Sequence, residues 1–256
     1  MTAPRVNLHA GLPLLASDLL HSAAIGNVIN ECEGKYLVPE NLYKDVFRSK
    51  VNGNESSKNQ DDSSKHLVRN VSQKNSLLLV SQASMLGSST DLFVNPDRYV
   101  KRAKLRLQRF SELVGGSMLT VHLVITSQFE YLMSVFSDLP MSEVETMSRS
   151  APSWAHLVEE LDRSIPEHRF IVWDFERPKD TLFAFVLAML ETHNKEIKEK
   201  LRSICIQRYK LMSFSAEGKL LPNWQDIANR LDAQYEADLQ KIMEMENVTL
   251  VQSQDA

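Results

Sequence analysis

Cysteine is almost missing from this chain. Cys32 and Cys205 are the two among 256 residues, too few for a disulfide framework or a ligand cluster, and they read as free thiols of a reducing compartment. Glycine is sparse, at eight residues, which excludes collagen-like and Gly-rich linker architectures. Long apolar runs are absent. The longest, Leu182 to Leu190, falls far short of the ~20 residues that span a bilayer, so no membrane span is expected. Neither charge dominates: 29 basic against 33 acidic residues leave a net −4, which argues against nucleic acid as partner. Met1 to Arg5 run straight toward a strand without the apolar core of a secretory leader, so the location expected is cytoplasmic. The histidines show no helical pair with a carboxylate, and no metal site is expected. No Gly-x-Ser-x-Gly elbow is present either.

What remains is an ordinary apolar content of 43%, arranged in alternating strand and helix patterns. Val6–Ala10 and the runs Leu77–Ser81, Met118–Thr126 and Phe170–Phe175 read as buried strands, and Val248–Val251 as a short last one. Helices are expected over Leu14–Ile29, with Ser17 or Asp18 as cap, and around Glu40–Val46. Val100, Ala103, Leu107, Phe110 and Val114 share one helical face, ended by Gly115 and Gly116. Further helices follow at Gln128–Ser137, Ser153–Arg163 (capped by Ser153), Thr181–Thr192, Lys195–Tyr209 and Trp224–Glu246. Gln82–Thr90 and Pro140–Pro152 read as loops. Residues 52–65 contain no apolar side chain, so about 50–74 is expected to be a mobile polar insertion. Such alternation implies a three-layer α/β protein, a mostly parallel sheet flanked by helices, forming a single domain over 1–256. Ligands of such sheets bind at the carboxyl ends of the strands, here after Ala10, Ser81, Thr126 and Phe175.

The first of those ends has the outline of a phosphate-binding loop: a short strand, then Gly11 and Pro13, a small-residue turn and a helix. It lacks a Lys and a second Gly, and it carries Asp18 where an anion would meet the helix. A carboxylate ~4 Å from a phosphate charge costs roughly 4 kcal/mol at an effective dielectric near 20.

On these residues the chain resembles the bacterial sulfotransferase-like branch of the P-loop fold. The likeness is spread thinly along the chain. His9-Ala10-Gly11-Leu12-Pro13 is similar to the family's opening strand and loop. Leu79 to Ser88 resembles its strand-to-loop segment, Val121 to Ser137 the segment that holds the 3′-phosphate of the nucleotide, Phe170 to Glu176 a strand ending in an acidic pair, and Gln234 to Leu239 its C-terminal helix. The resemblance implies 3′-phosphoadenosine 5′-phosphosulfate as donor. It implies a Lys in the first loop against the departing sulfate, and an Arg and a Ser separated by six residues on the 3′-phosphate.

The departures cluster at those ligands. Leu14 replaces the Lys, Ala16 the loop Gly, Asp18 a hydroxyl residue, and Ser127 the Arg, while Gln82, Ala83 and Ser84 replace two acids and an Asn. What survives is a vestigial cofactor site of Gly11, Ser17 and Ser134. The resemblance therefore implies a diverged protein, deficient in donor binding and catalysis, that acts by binding an unknown small molecule or protein. The alternative is an active sulfotransferase that borrows a cation from elsewhere, such as the basic run Arg98, Lys101, Arg102, Lys104, Arg106 and Arg109, and moves a sulfuryl group to a hydroxyl or amine. Whether the chain is an enzyme is left open. Candidate acid–base groups are His21, one helical turn past the loop, and Asp174 and Glu176 at a strand end. His9 and His122 lie inside apolar strands and are expected to be structural.

Overall fold

The computed structural model of the chain describes residues 5–11, 15–39, 43, 51, 76–115, 117–136, 138–176, 178–212 and 224–252, without the side chains of 15–17, 178–180 and 210–212. Its strands are β1 (Arg5–Gly11), β2 (Lys35–Leu37), β3 (Leu77–Ser81), β4 (Met118–Ile125), β5 (Arg169–Asp174) and β6 (Val248–Val251). Its helices are α1 (Leu15–Leu20), α2 (Ala23–Glu31), α3 (Ser89–Val94), α4 (Pro96–Leu113), α5 (Gln128–Phe136), α6 (Met141–Arg149), α7 (Trp154–Ser164), α8 (Pro178–Leu190), α9 (Lys195–Met212) and α10 (Gln225–Met243). The strands join in the order β2-β3-β1-β4-β5-β6, and every neighbouring pair is parallel. The expected parallel α/β sheet is therefore present.

Side chains alternate across each strand, and the alternation sorts them into two cores. Val6, Leu8 and Ala10 of β1 pack with Leu78, Val80, Val121 and Leu123 under α3 to α7 and α10. Leu77, Leu79, Val124 and Trp173 face the other way, under α1, α2, α8 and α9. The stripe expected on α4 is buried as patterned, from Val100 through Phe110.

Four local expectations are revised. The helix expected over Leu14–Ile29 is two helices, because Ser22 adopts an extended backbone and caps α2 by accepting from the Ile25 amide. Asp18 is an acid in the first turn of α1, which starts at Leu15, and so it does not sit at the cap. Pro140–Pro152 contains helix α6: Pro140 stands at its N-cap, where a missing N–H costs nothing, and Val144 and Ser148 are buried beneath it. The loop Gln82–Thr90 holds a 3₁₀ turn at Ala83–Met85 and, capped by Ser88, the start of α3. Strand β2 went unread because three residues cannot display a period. But for Tyr43 and Val51, which are buried, the helix expected around Glu40–Val46 and the polar segment at about 50–74 lie outside the described residues.

Candidate functional site

The chain leaves β1 toward β2 on one side of the sheet and leaves β4 toward β5 on the other. The carboxyl ends of these two adjacent strands therefore flank a topological switch point, where open α/β sheets hold their ligands. Gly11 ends β1 there with φ +123, opposite Val124. A Cβ at this position would lie 2.9 Å from Leu123 Cδ1 and 3.0 Å from the Val124 carbonyl oxygen, so both torsion and close approach require glycine.

Four carboxylates gather at the β4–β5 side of this edge. Asp174 ends β5 in register with Ile125, and it is buried. Its Oδ1 accepts from the Tyr235 hydroxyl of α10 at 2.6 Å and from the Glu176 amide at 2.9 Å. Glu130, in the first turn of α5, accepts from Thr126 Oγ1 at 2.9 Å. Partial withdrawal from water, then the charges of Glu176, Asp232 and Asp174, push the Glu130 carboxyl above its ordinary range, against the lowering effect of the Thr126 bond. Burial, with Asp174 beside it, likewise raises the Tyr235 phenol, which stays a neutral donor. Ser127 donates to Asp232 Oδ1 at 2.8 Å and accepts from the Phe129 amide at 3.2 Å.

A fifth carboxylate near these elements has a purely architectural task. Asp238 is buried and accepts from Ser153 Oγ at 2.6 Å, from the Trp154 amide at 2.8 Å and from Gln128 Nε2 at 2.9 Å. It thereby closes the N-terminus of α7, as the positive helix end favours, and ties α5, α7 and α10 together. Ser153 caps α7 as expected from the sequence.

The sequence candidates divide between these surroundings. Asp174 and Glu176 meet at the edge. Ser134 is exposed on α5, and its hydroxyl donates to the Tyr131 carbonyl of its own helix at 2.8 Å. Ser17 is the third residue of α1, and its side chain is outside the described atoms. His21 Nε2 donates to the Ser81 carbonyl at 2.9 Å, which anchors the end of α1 to β3. Gln82 Nε2 donates to Ser84 Oγ at 2.7 Å. Asp18 is 70% exposed and lies 3.6 Å from the guanidinium of Arg208 on α9. In so wet a place, with a cation beside it, its penalty on an anion falls from roughly 4 toward about 1 kcal/mol.

Sequence reading missed Glu130, Asp232, Tyr235 and Arg208. Tyr235 and Asp174 are 61 positions apart, and no local pattern announces such a pair. A helix-start acid just after strand β4 is the one signal that pointed to Glu130. Among the described residues, no group of three or more His, Cys, Asp or Glu side chains is arranged to hold a metal ion. The basic helix α4 spends most of its charge internally: Arg102 meets Asp91, Lys104 meets Glu160, and Arg106 and Arg109 donate to the carbonyls of Met85 and Val51.

The class of protein defined so far is a parallel α/β domain with an acid-lined carboxyl edge. Compared with known proteins, the chain matches no protein-family model and no curated protein. No helix of the described residues is long and apolar enough to cross a membrane.

Proposed function

We propose that this chain is a diverged sulfotransferase-like domain that does not hold the phosphosulfate donor and works by binding another ligand, a small molecule or a protein, at its carboxyl edge. One observation carries the reading. Where the resemblance asks for an Arg on the 3′-phosphate, Ser127 is bonded to Asp232, and Glu130, Asp174 and Glu176 surround the same edge. Each unit charge of that sign held ~4 Å from a phosphate opposes binding by about 1 to 4 kcal/mol, depending on solvent access. The same field favours a neutral or cationic ligand.

Calorimetry with adenosine 3′,5′-bisphosphate tests this. The expected result is no binding at micromolar concentrations, and micromolar or tighter affinity overturns the proposal. A variant combining Leu14→Lys, Ala16→Gly, Asp18→Thr and Ser127→Arg is expected to gain measurable affinity over the parent. Equal binding by both discredits the account of the loop.

A second reading, an active sulfotransferase, is favoured by Arg208. Its guanidinium comes from a distant helix to the α1 region, and its buried Nε has no hydrogen-bond partner among the described residues. Transfer of a labelled sulfuryl group to hydroxyl or amine acceptors, abolished by Arg208→Ala, would establish that reading in place of the first.

A further inference from the structure

Beneath the carboxyl edge, on the α8 side of the sheet, two histidines stand at paired positions of adjacent strands: His9 on β1 and His122 on β4. Both are buried. Each meets the ring of Phe185 edge-on, at centroid distances of 5.2 and 6.2 Å, and the Trp173 ring lies nearly parallel to that of His122, at 12° with centroids 6.0 Å apart. The Nε2 atoms of both histidines are buried and have no hydrogen-bond partner among the described residues. A buried orphan of this kind is destabilising; two on paired residues of adjacent strands call for a common explanation.

The partners of the other ring nitrogens constrain it. An indole N–H can only donate. Trp173 Nε1 lies 3.1 Å from His122 Nδ1, so that nitrogen is bare and a neutral His122 carries its proton on Nε2. His9 Nδ1 lies 3.0 Å from Ser81 Oγ, which can donate or accept. The charged groups acting on the pair are His21 and Arg169, together with the two histidines themselves, and all of them oppose a further proton. Among the described residues, no carboxylate compensates. Both rings are therefore neutral. One ring offers a donor at Nε2, and the other completes the arrangement if it offers an acceptor.

We propose that His9 and His122 form an internal site for one small neutral hydrogen-bonding molecule, a water, which accepts from His122 Nε2–H and donates to a bare Nε2 of His9. His9 then carries its proton on Nδ1 and donates to Ser81. The result is a directional chain from Trp173 through His122 and His9 to Ser81, whose carbonyl holds His21 of the α1 end. A metal ion does not suit the site, because His122 Nε2 must keep its proton while Nδ1 accepts from Trp173.

Nitrogen-15 NMR of the ring nitrogens of the full chain tests the assignment. The expected spectrum shows His122 as the Nε2–H tautomer and His9 as the Nδ1–H tautomer, both neutral at pH 6, with a long-lived water in cross-relaxation with the His122 ring proton. His9 found as the Nε2–H tautomer, a His122 lacking its Nε2 proton, or no bound water would each overturn the proposal. A double-mutant cycle supplies the second measurement. His9→Phe and His122→Phe are each expected to lower Tm by about 5 °C, since each strands the opposite ring. The double variant should lose clearly less than the sum; strict additivity contradicts a shared molecule.

Discussion

The two faces of the central strands bury different chemistry. Toward α4, α5 and α7, β1 presents Val6, Leu8 and Ala10, and β4 presents Leu119, Val121 and Leu123, aliphatic throughout. Toward α1 and α8, the same two strands present Asn7, His9, Thr120 and His122, all buried. Asn7 is satisfied by the end of α8, donating to the Met189 carbonyl at 2.9 Å and to Glu191 Oε1 at 3.2 Å. The aliphatic face draws its stability from area removed from water, which is indifferent to protons. The polar face is stable only while its groups are paired or uncharged. One sheet thus carries a pH-blind side and a pH-sensitive side.

The largest expected effect separates them by acid. Burial holds His9 and His122 down to about 3 in the folded chain, against an ordinary value of 6.5. Below pH 6.5 the unfolded chain binds protons that the folded chain refuses. The stability these residues permit is full above that point and is lost as pH falls toward 3. Between pH 7 and 4.5 the two together are expected to remove about 5 kcal/mol. Urea denaturation at both pH values measures it, and a flat response would erase the contrast between the faces. Next in size, Leu8→Ala on the aliphatic face should cost about 3 kcal/mol, with the same loss at pH 7 and pH 5.5. A pH-dependent loss there would show that the faces are coupled.

Asp238 is the polar exception within the aliphatic side. Asp238→Ala is expected to cost about 2 kcal/mol by stranding its three donors, and Asp238→Asn about half of that, since an amide oxygen still accepts. Thermal denaturation of the pair of variants resolves the difference. The smallest effect has the opposite sign. Glu130→Gln removes a carboxylate that its surroundings disfavour, and it should raise Tm at pH 7 by about 2 °C. The gain should vanish in acid, where the native carboxyl is already protonated.

The fold was more legible than the site. Strands β1, β3, β4 and β5 could be read because strands covered on both faces are nearly continuous apolar runs. The helices α4, α7 and α10 could be read because one face of each repeats every three to four residues. The segment that became α6 was misread because two prolines punctuate it, while the contacts that hold it, such as Arg230 of α10 donating to Ser148, come from far along the chain. At the site, Gly11, Asp174 and Glu176 were visible as residues at strand ends. Glu130, Asp232 and Tyr235 acquired meaning only through partners far away in the chain.

The order of residues by itself determined the alternation of strand and helix, and with it the layered α/β form, because backbone periodicity and burial act over a few neighbours. The tertiary structure alone decided which charges meet. It set Arg208 beside Asp18, Tyr235 against Asp174, and His9 opposite His122. Electrostatic energy and hydrogen bonding depend on distance and on access to water, and both are set by the packing of remote segments.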